Sequence, residues 1–161
     1  MIVVLDASTL INLDNGEVLA ETLSLPGMTF QISPEVLRES RTVAKAIKAA
    51  VDRGDLDWVD DTAIDAEEYE DALSVWELGP GETECILAAR ALGCSVACDD
   101  GAARRVIKRE IGVVRMTGTV GLLRDTVTAG LLTPEEAFEA YQQMKRLGGF
   151  LPKLSLADFE P

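Results

Sequence analysis

Histidine is absent from this 161-residue chain, and that single absence removes a large part of enzyme chemistry. Imidazole triads, most zinc sites and the paired-histidine route to RNA cleavage through the 2′-hydroxyl all depend on it. Cysteine is scarce and odd in number. Cys85, Cys94 and Cys98 show no Cys-x-x-Cys spacing and each lies in or beside an apolar run, so they read as core thiols. Long hydrophobic runs are missing as well, and the longest fall far short of the ~20 residues a membrane span needs. The opening Met1-Ile2-Val3-Val4-Leu5-Asp6 lacks the basic start of a secretory signal, which places the expected location in the cytoplasm. Positive charge is thin: 15 basic against 28 acidic residues give a formal net charge of −13, which repels nucleic acid at long range. Carboxylates, metal ions, hydroxyls and lysine are what remain for chemistry.

Carboxylates are also what the chain places most pointedly. Asp6 closes the apolar run Ile2-Val3-Val4-Leu5, and Glu39 follows a helix start at Ser33-Pro34. Glu84 sits in Gly81-Glu82-Thr83-Glu84, and Asp99-Asp100 follow Ser95-Val96-Ala97-Cys98. Acids gathered at strand ends and helix starts suit magnesium or manganese, hard ions that prefer oxygen ligands, keep waters and bind phosphates. Basic residues concentrate at Arg104, Arg105, Lys108, Arg109 and Arg115. That run is either a solvated helix face or a set of phosphate contacts beside a metal site.

The 47% hydrophobic content suits one compact unit with a full core, expected over residues 1–150, with residues 151–161 as a loosely packed tail after Gly148-Gly149. Apolar runs alternate with helical patterns. Strands are expected at residues 2–6, Thr29–Ile32, Leu56–Val59, Ser95–Cys98 and Val113–Met116. One or two helices are expected over Ser8–Leu25, and a long one from Pro34 to Arg53 ended by Gly54. Others are expected from about Ile64 to Leu78, from Glu82 to Leu92 capped by Gly93, after Asp100, through Leu122–Val127, and from Thr133-Pro134-Glu135-Glu136 onward. Such alternation implies an α/β fold around a mostly parallel sheet, with its site at the carboxyl ends of the strands near the point where strand order reverses.

Each acid has a structural alternative. Asp6 could cap the next helix, although Ser8 is available for that job and is favoured for it. Glu35 shares a helix face with Glu39, but it lies in the first turn, where a negative charge complements the helix dipole, so Glu39 is the better ligand. Glu82 and Glu84 are separated by about 200° around a helix, which makes one of them a first-turn charge. Either Asp99 or Asp100 could cap the following helix while the other faces a metal.

Five segments in order carry a resemblance: Val4-Leu5-Asp6-Ala7-Ser8-Thr9-Leu10-Ile11-Asn12-Leu13, Ile32-Ser33-Pro34-Glu35-Val36-Leu37-Arg38-Glu39, Gly81-Glu82-Thr83-Glu84-Cys85-Ile86-Leu87-Ala88-Ala89, Asp99-Asp100-Gly101-Ala102-Ala103-Arg104 and Thr117-Gly118-Thr119-Val120-Gly121-Leu122-Leu123. Together they resemble a PIN domain of the VapC-like toxin branch, over residues 2 to about 132. The resemblance implies a three-layer α/β/α sandwich and a magnesium- or manganese-dependent ribonuclease site. By position, its acids would be Asp6, Glu39, Glu84 and one of Asp99 or Asp100. It further implies single-stranded RNA as substrate, products with 5′-phosphates, a toxin–antitoxin pairing with a small antitoxin protein, and a homodimer, with apolar positions on the helices of Ser8–Leu25 and Pro34–Arg53 pairing two subunits or receiving an antitoxin helix. One of Asp99 and Asp100 would position or deprotonate the attacking water. Ser8, Arg104 and Thr117 are candidate phosphate contacts, with helix capping the alternative for Ser8 and Thr117. Two departures stand out: many relatives carry Asp where Glu84 stands, and the single Asp after the fourth strand is a doublet here. A non-catalytic binding module is the rival reading. A haloacid-dehalogenase-type phosphatase fits poorly, since Ser8 occupies the place of its second Asp.

Overall fold

The computed structural model describes residues 1–160, the side chain of Asp61 excepted. Five short strands, β1 (Ile2–Leu5), β2 (Thr29–Ile32), β3 (Asp57–Trp58), β4 (Ser95–Ala97) and β5 (Met116–Thr117), form one parallel sheet in the order β3-β2-β1-β4-β5. Val3, Val4 and Leu5 are wholly buried, as expected of a central strand covered on both faces. Its registers run Val3↔Phe30 on one side and Val4↔Val96 on the other. The chain winds outward from β1 to β3 and then restarts at β4 on the opposite side, so strand order reverses between β1 and β4.

Helices cover both faces, giving the α/β sandwich expected. α1 (Ala7–Asn15) and α2 (Leu19–Leu23) precede β2; α3 (Pro34–Glu39) and α4 (Ala44–Arg53) follow it. After β3 come α5 (Ala66–Trp76) and α6 (Pro80–Leu92), and α6 lies against β1 and β4 while α3, α5 and α7 (Gly101–Glu110) pack on α6. α1, α8 (Thr119–Thr128) and α9 (Pro134–Arg146) form a second mutually packed group. Arg90 of α6 ties the first group together, pairing with Glu68 of α5 and with Glu110 of α7 at 3.0 Å. Among the described residues no helix is long and apolar enough to cross a membrane.

Four expectations need correction. The single helix over Pro34–Arg53 is two, because the chain leaves α3 at Ser40 (φ −90°, ψ 40°) and restarts after Val43. Thr42-Val43 is β-branched, which lowers the helical preference of the connection. The strand at Val113–Met116 is a 3-10 turn over Val113–Arg115 followed by β5, because only Met116 and Thr117 find partners on β4. The Val113 and Val114 side chains stay exposed. The tail is not loose: Leu151 and Phe159 are buried. The Phe159 ring packs 5.7 Å from that of Tyr141, whose hydroxyl donates to the Pro152 carbonyl at 2.6 Å and accepts from Leu154 N–H. Finally, the apolar positions of α1–α4 offered for pairing two subunits mostly serve the core. Leu10, Leu13, Leu19, Val36, Val43 and Ile47 are buried, and no large exposed hydrophobic residue lies on these helices.

Candidate active site

Asp6 ends β1 at the reversal point. Its backbone N–H continues the β1–β4 pairing to Ala97 O at 3.0 Å, which carries the side chain to the carboxyl edge of the sheet. Although 2% exposed, the carboxylate has three donors: Ala7 N–H at 2.7 Å on Oδ1, and Ser8 Oγ at 2.6 Å and the Cys98 thiol at 3.2 Å on Oδ2. Burial raises its pKa above the ordinary carboxylate value, and the three donors oppose that rise. Asp6 therefore caps α1, the job for which Ser8 was favoured. Ser8 instead bridges two strand ends, donating to Asp6 and accepting from Asp99 N–H at 3.1 Å.

The break after α3 frees Glu39 to cross to α6, where its Oε1 accepts from Gly81 N–H at 2.9 Å. Gly81 has to be glycine for this approach, since a Cβ there would collide with the Glu39 carboxylate. Glu82, not assigned as a ligand from the sequence, stands in the same group. It closes the helix start by accepting from Gly79 N–H at 3.0 Å. Burial raises its pKa, the Gly79 bond works against this, and the negative fields of Asp6, Asp100 and Glu39 add to the rise. Glu84 reaches α3: its Oε2 accepts from Glu35 N–H at 3.2 Å, beside a cavity of about 180 Å³ that it lines with Glu35 and Tyr69, and the negative fields of Glu84 and Glu39 both act on Tyr69 and Cys85. Glu82 is thus the first-turn charge of the pair, and Glu84 lies deeper in the helix.

The adjacent aspartates separate completely. Asp100 caps α7, its Oδ1 accepting from Ala102 N–H at 2.7 Å and Ala103 N–H at 2.8 Å. Asp99 points to α1 and α8. Its Oδ1 accepts from Thr119 N–H at 2.9 Å, and its Oδ2 accepts from Asn12 Nδ2 at 2.9 Å and from the Thr119 hydroxyl. Sequence reasoning passed over Asn12 and Thr119. The available signals were a polar residue within Leu10-Ile11-Asn12-Leu13, one turn from Ser8, and a Thr at the first position of α8.

Of the candidate phosphate contacts, Arg104 is a tie across strand ends, its Nη1 donating to Cys98 O at 2.7 Å and Thr117 O at 2.8 Å. Arg115 likewise bonds Ala89 O and Cys94 O, while Arg105, Lys108 and Arg109 are exposed. Thr117 is the last residue of β5 and no helix cap. All three cysteines are buried and unbridged. Burial pushes the Cys85 and Cys98 thiols far up, which suits core thiols.

Among the described residues no three Cys, Asp or Glu side chains stand together in an arrangement that could hold a metal ion. The donor set nevertheless suits magnesium or manganese. All are hard oxygen donors, Asp6 and Glu82 bear a desolvation cost that a cation would relieve, and magnesium asks for one or two direct carboxylates while retaining waters. A family model described as PIN domain matches residues 2–158, while no curated protein and no solved structure matches. With nearly the whole chain covered, it belongs to the PIN-domain family, whose members are generally nucleases.

Proposed function

We propose that this protein is a magnesium- or manganese-dependent endoribonuclease that hydrolyses single-stranded RNA. The observation that carries the proposal is the Asp6 carboxylate, buried at the point of strand reversal, held there by three donors and adding its negative charge to the surroundings of Glu82. Open parallel sheets bind ligands there.

Asp6, Glu39 and Glu84 would hold the ion, with Glu82 and Asp100 adding negative field. Once bound, the ion would supply a lowered water pKa and charge neutralisation at the leaving oxygen. Asp100 commits Oδ1 to its helix, so its other oxygen would orient the attacking water or accept its proton. Asp99, whose two oxygens already receive donors from Asn12 and Thr119, would position the strand ends. Ser8 would relay between Asp6 and the Asp99 backbone. Arg104 and Thr117 border a cleft beside Asp99, where a phosphate would lie.

A toxin role, a small antitoxin partner and a homodimer belong to the same proposal and rest on the family resemblance alone, and the cytoplasmic setting is carried over from the shortness of the apolar runs. The purified protein with manganese should cut single-stranded RNA to 5′-phosphate and 3′-hydroxyl ends, and EDTA should stop it. Cleavage that survives EDTA, or 2′,3′-cyclic phosphate products, would refute the chemistry. Growth arrest on expression, relieved by Asp6→Asn, tests the toxin role, and light scattering at tens of micromolar tests the dimer. The net charge of −13 favours a second reading, a non-catalytic binding module. Its signature is a melting temperature unmoved by millimolar manganese.

A further inference from the structure

Resting on the ribonuclease reading, we infer that Phe150 is a stacking platform for a nucleobase of the single-stranded substrate beside the acidic site. Four phenylalanines are present. Phe30 and Phe159 are buried and Phe138 is packed against the core, whereas Phe150 is 94% exposed. An aromatic ring held in water forgoes a large burial gain, and here the backbone around it is anchored. On one side Gly149 N–H donates to Met144 O at 2.9 Å, and the Gly149 backbone presses so closely on Asn12 that a Cβ would stand 2.6 Å from Asn12 Oδ1. On the other side Leu151 is buried. The ring is therefore presented by a fixed segment, a preorganised contact that costs little ordering on binding.

Its position is as telling as its exposure. Phe150 lines two clefts, of about 330 and 410 Å³, that both reach Asp99. The first has the amides of Asn12 and Asn15 and the apolar side chain of Ile11 on its wall, groups suited to the edge and face of a base. The second carries Arg104, whose Nη1 is held by two carbonyl oxygens, and Arg124, which also pairs with Asp158 at 3.9 Å, and their remaining N–H groups offer positive charge for a backbone phosphate in a chain that is otherwise strongly acidic. Single-strand binders combine aromatic stacking surfaces with cationic backbone grooves, and stacking tolerates any base because every base has a π face. A protein partner would use the same ring as a simple hydrophobic contact, and the ring's chemistry separates the two cases.

The test measures anisotropy of a fluorescein-labelled single-stranded RNA titrated with the full chain plus manganese, in an Asp6→Asn background to prevent cleavage. Phe150→Ala should weaken binding roughly tenfold, Phe150→Trp should restore it, and Phe150→Leu should not. A series of RNAs with one abasic position each should contain one in which Phe and Ala bind equally, marking the stacked base. Circular dichroism melting should be unchanged, as befits an exposed side chain. Equal binding by Phe150, Ala and Leu variants would overturn the inference and leave the nuclease standing. Leu binding as well as Phe, with Ala weak, would also overturn it, since that pattern reports apolar contact without stacking. Nuclease activity missing from the unsubstituted chain would instead overturn the reading beneath it.

Discussion

Asp99 and Asp100 are chemically identical neighbours, and the two sides of the site they join are built on different principles. On the Asp100 side, the negative fields of Asp6, Asp100 and Glu39 all reach Glu82, and burial raises the pKa of Asp6 and Glu82. On the Asp99 side, one carboxylate is surrounded by neutral donors from Asn12 and Thr119, which come from helices 87 and 20 residues away in sequence. The first arrangement is electrostatically unfinished and gains from a cation. The second is complete and holds α1, β4 and α8 in register. A site that must bind a metal and also keep its shape divides the two tasks between its halves.

The largest expected effect lies on the unfinished side. Asp6→Asn should reduce RNA cleavage by about 100-fold or more, since changes merely beside a metal ligand already cost 10–100-fold. It should also abolish most of the manganese-dependent rise in melting temperature, because relief of repulsion is the source of that rise. Full activity in the variant would remove the acid group from the chemistry.

Next comes the contrast within α6. Glu84→Gln should lose activity by a large factor. Glu82→Gln should lose little, since glutamine still accepts from Gly79 N–H and keeps the capping box. Kinetics on both variants decide the matter: the reverse order would move the ion to the Asp6, Glu39, Glu82 and Asp100 group, with Glu84 left as a partner of the α3 amide.

On the completed side the expected loss is of stability. Thr119→Val removes one of the donors on which Asp99 depends, the hydroxyl, while the backbone N–H at position 119 and the Asn12 amide stay in place. It should lower unfolding free energy by about 1–3 kcal/mol in urea denaturation. A double-mutant cycle with Asp99→Asn should give clearly less than the sum of the single changes. Additive losses would mean that the pair is not coupled and that the two halves of the site do not differ as described.

The smallest effect is a control outside both halves. Hydrogen bonds from the Thr133 backbone and side chain hold the Glu136 carboxyl below its ordinary value of 4.5, and the Ser155 bonds do the same for Asp158. A depressed carboxyl contributes stability above its unfolded pKa and loses it as pH falls through the folded one. A Glu136→Gln variant should therefore show a slightly shallower loss of melting temperature below about pH 4.5 than the unsubstituted chain. An identical acid limb would show that this capping box contributes nothing measurable.

Much of the architecture was legible because local rules act over a few residues. Apolar runs marked β1, β2 and β4, Pro34 and Thr133-Pro134 marked helix starts, and Gly54 and Gly93 end their helices in the left-handed conformation, φ 79° and 70°. The misread elements share a cause. Val113-Val114 has strand chemistry but no strand beside it, and Pro34–Arg53 has helical chemistry interrupted where Glu39 is drawn to Gly81. The tail after Gly149 reads as loose because Leu151 and Phe159 gain order from distant partners, the aromatic rings of α9 and Arg124 of α8, which donates to Asp158 O.

By itself the sequence determined the kinds of chemistry open to this protein. With no histidine and an excess of carboxylates at strand and helix ends, hard-metal chemistry was the natural reading before any fold was known, since composition settles which ligands exist. Tertiary structure decided how those acids are distributed. Spacing could not separate Asp99 from Asp100, or say whether Asp6 or Ser8 caps α1. Those outcomes depend on which donors arrive from Asn12, Thr119, Gly81 and Cys98, groups tens of residues away. A carboxylate's role is set by the donors and charges within a few ångströms of it, and only packing brings those together.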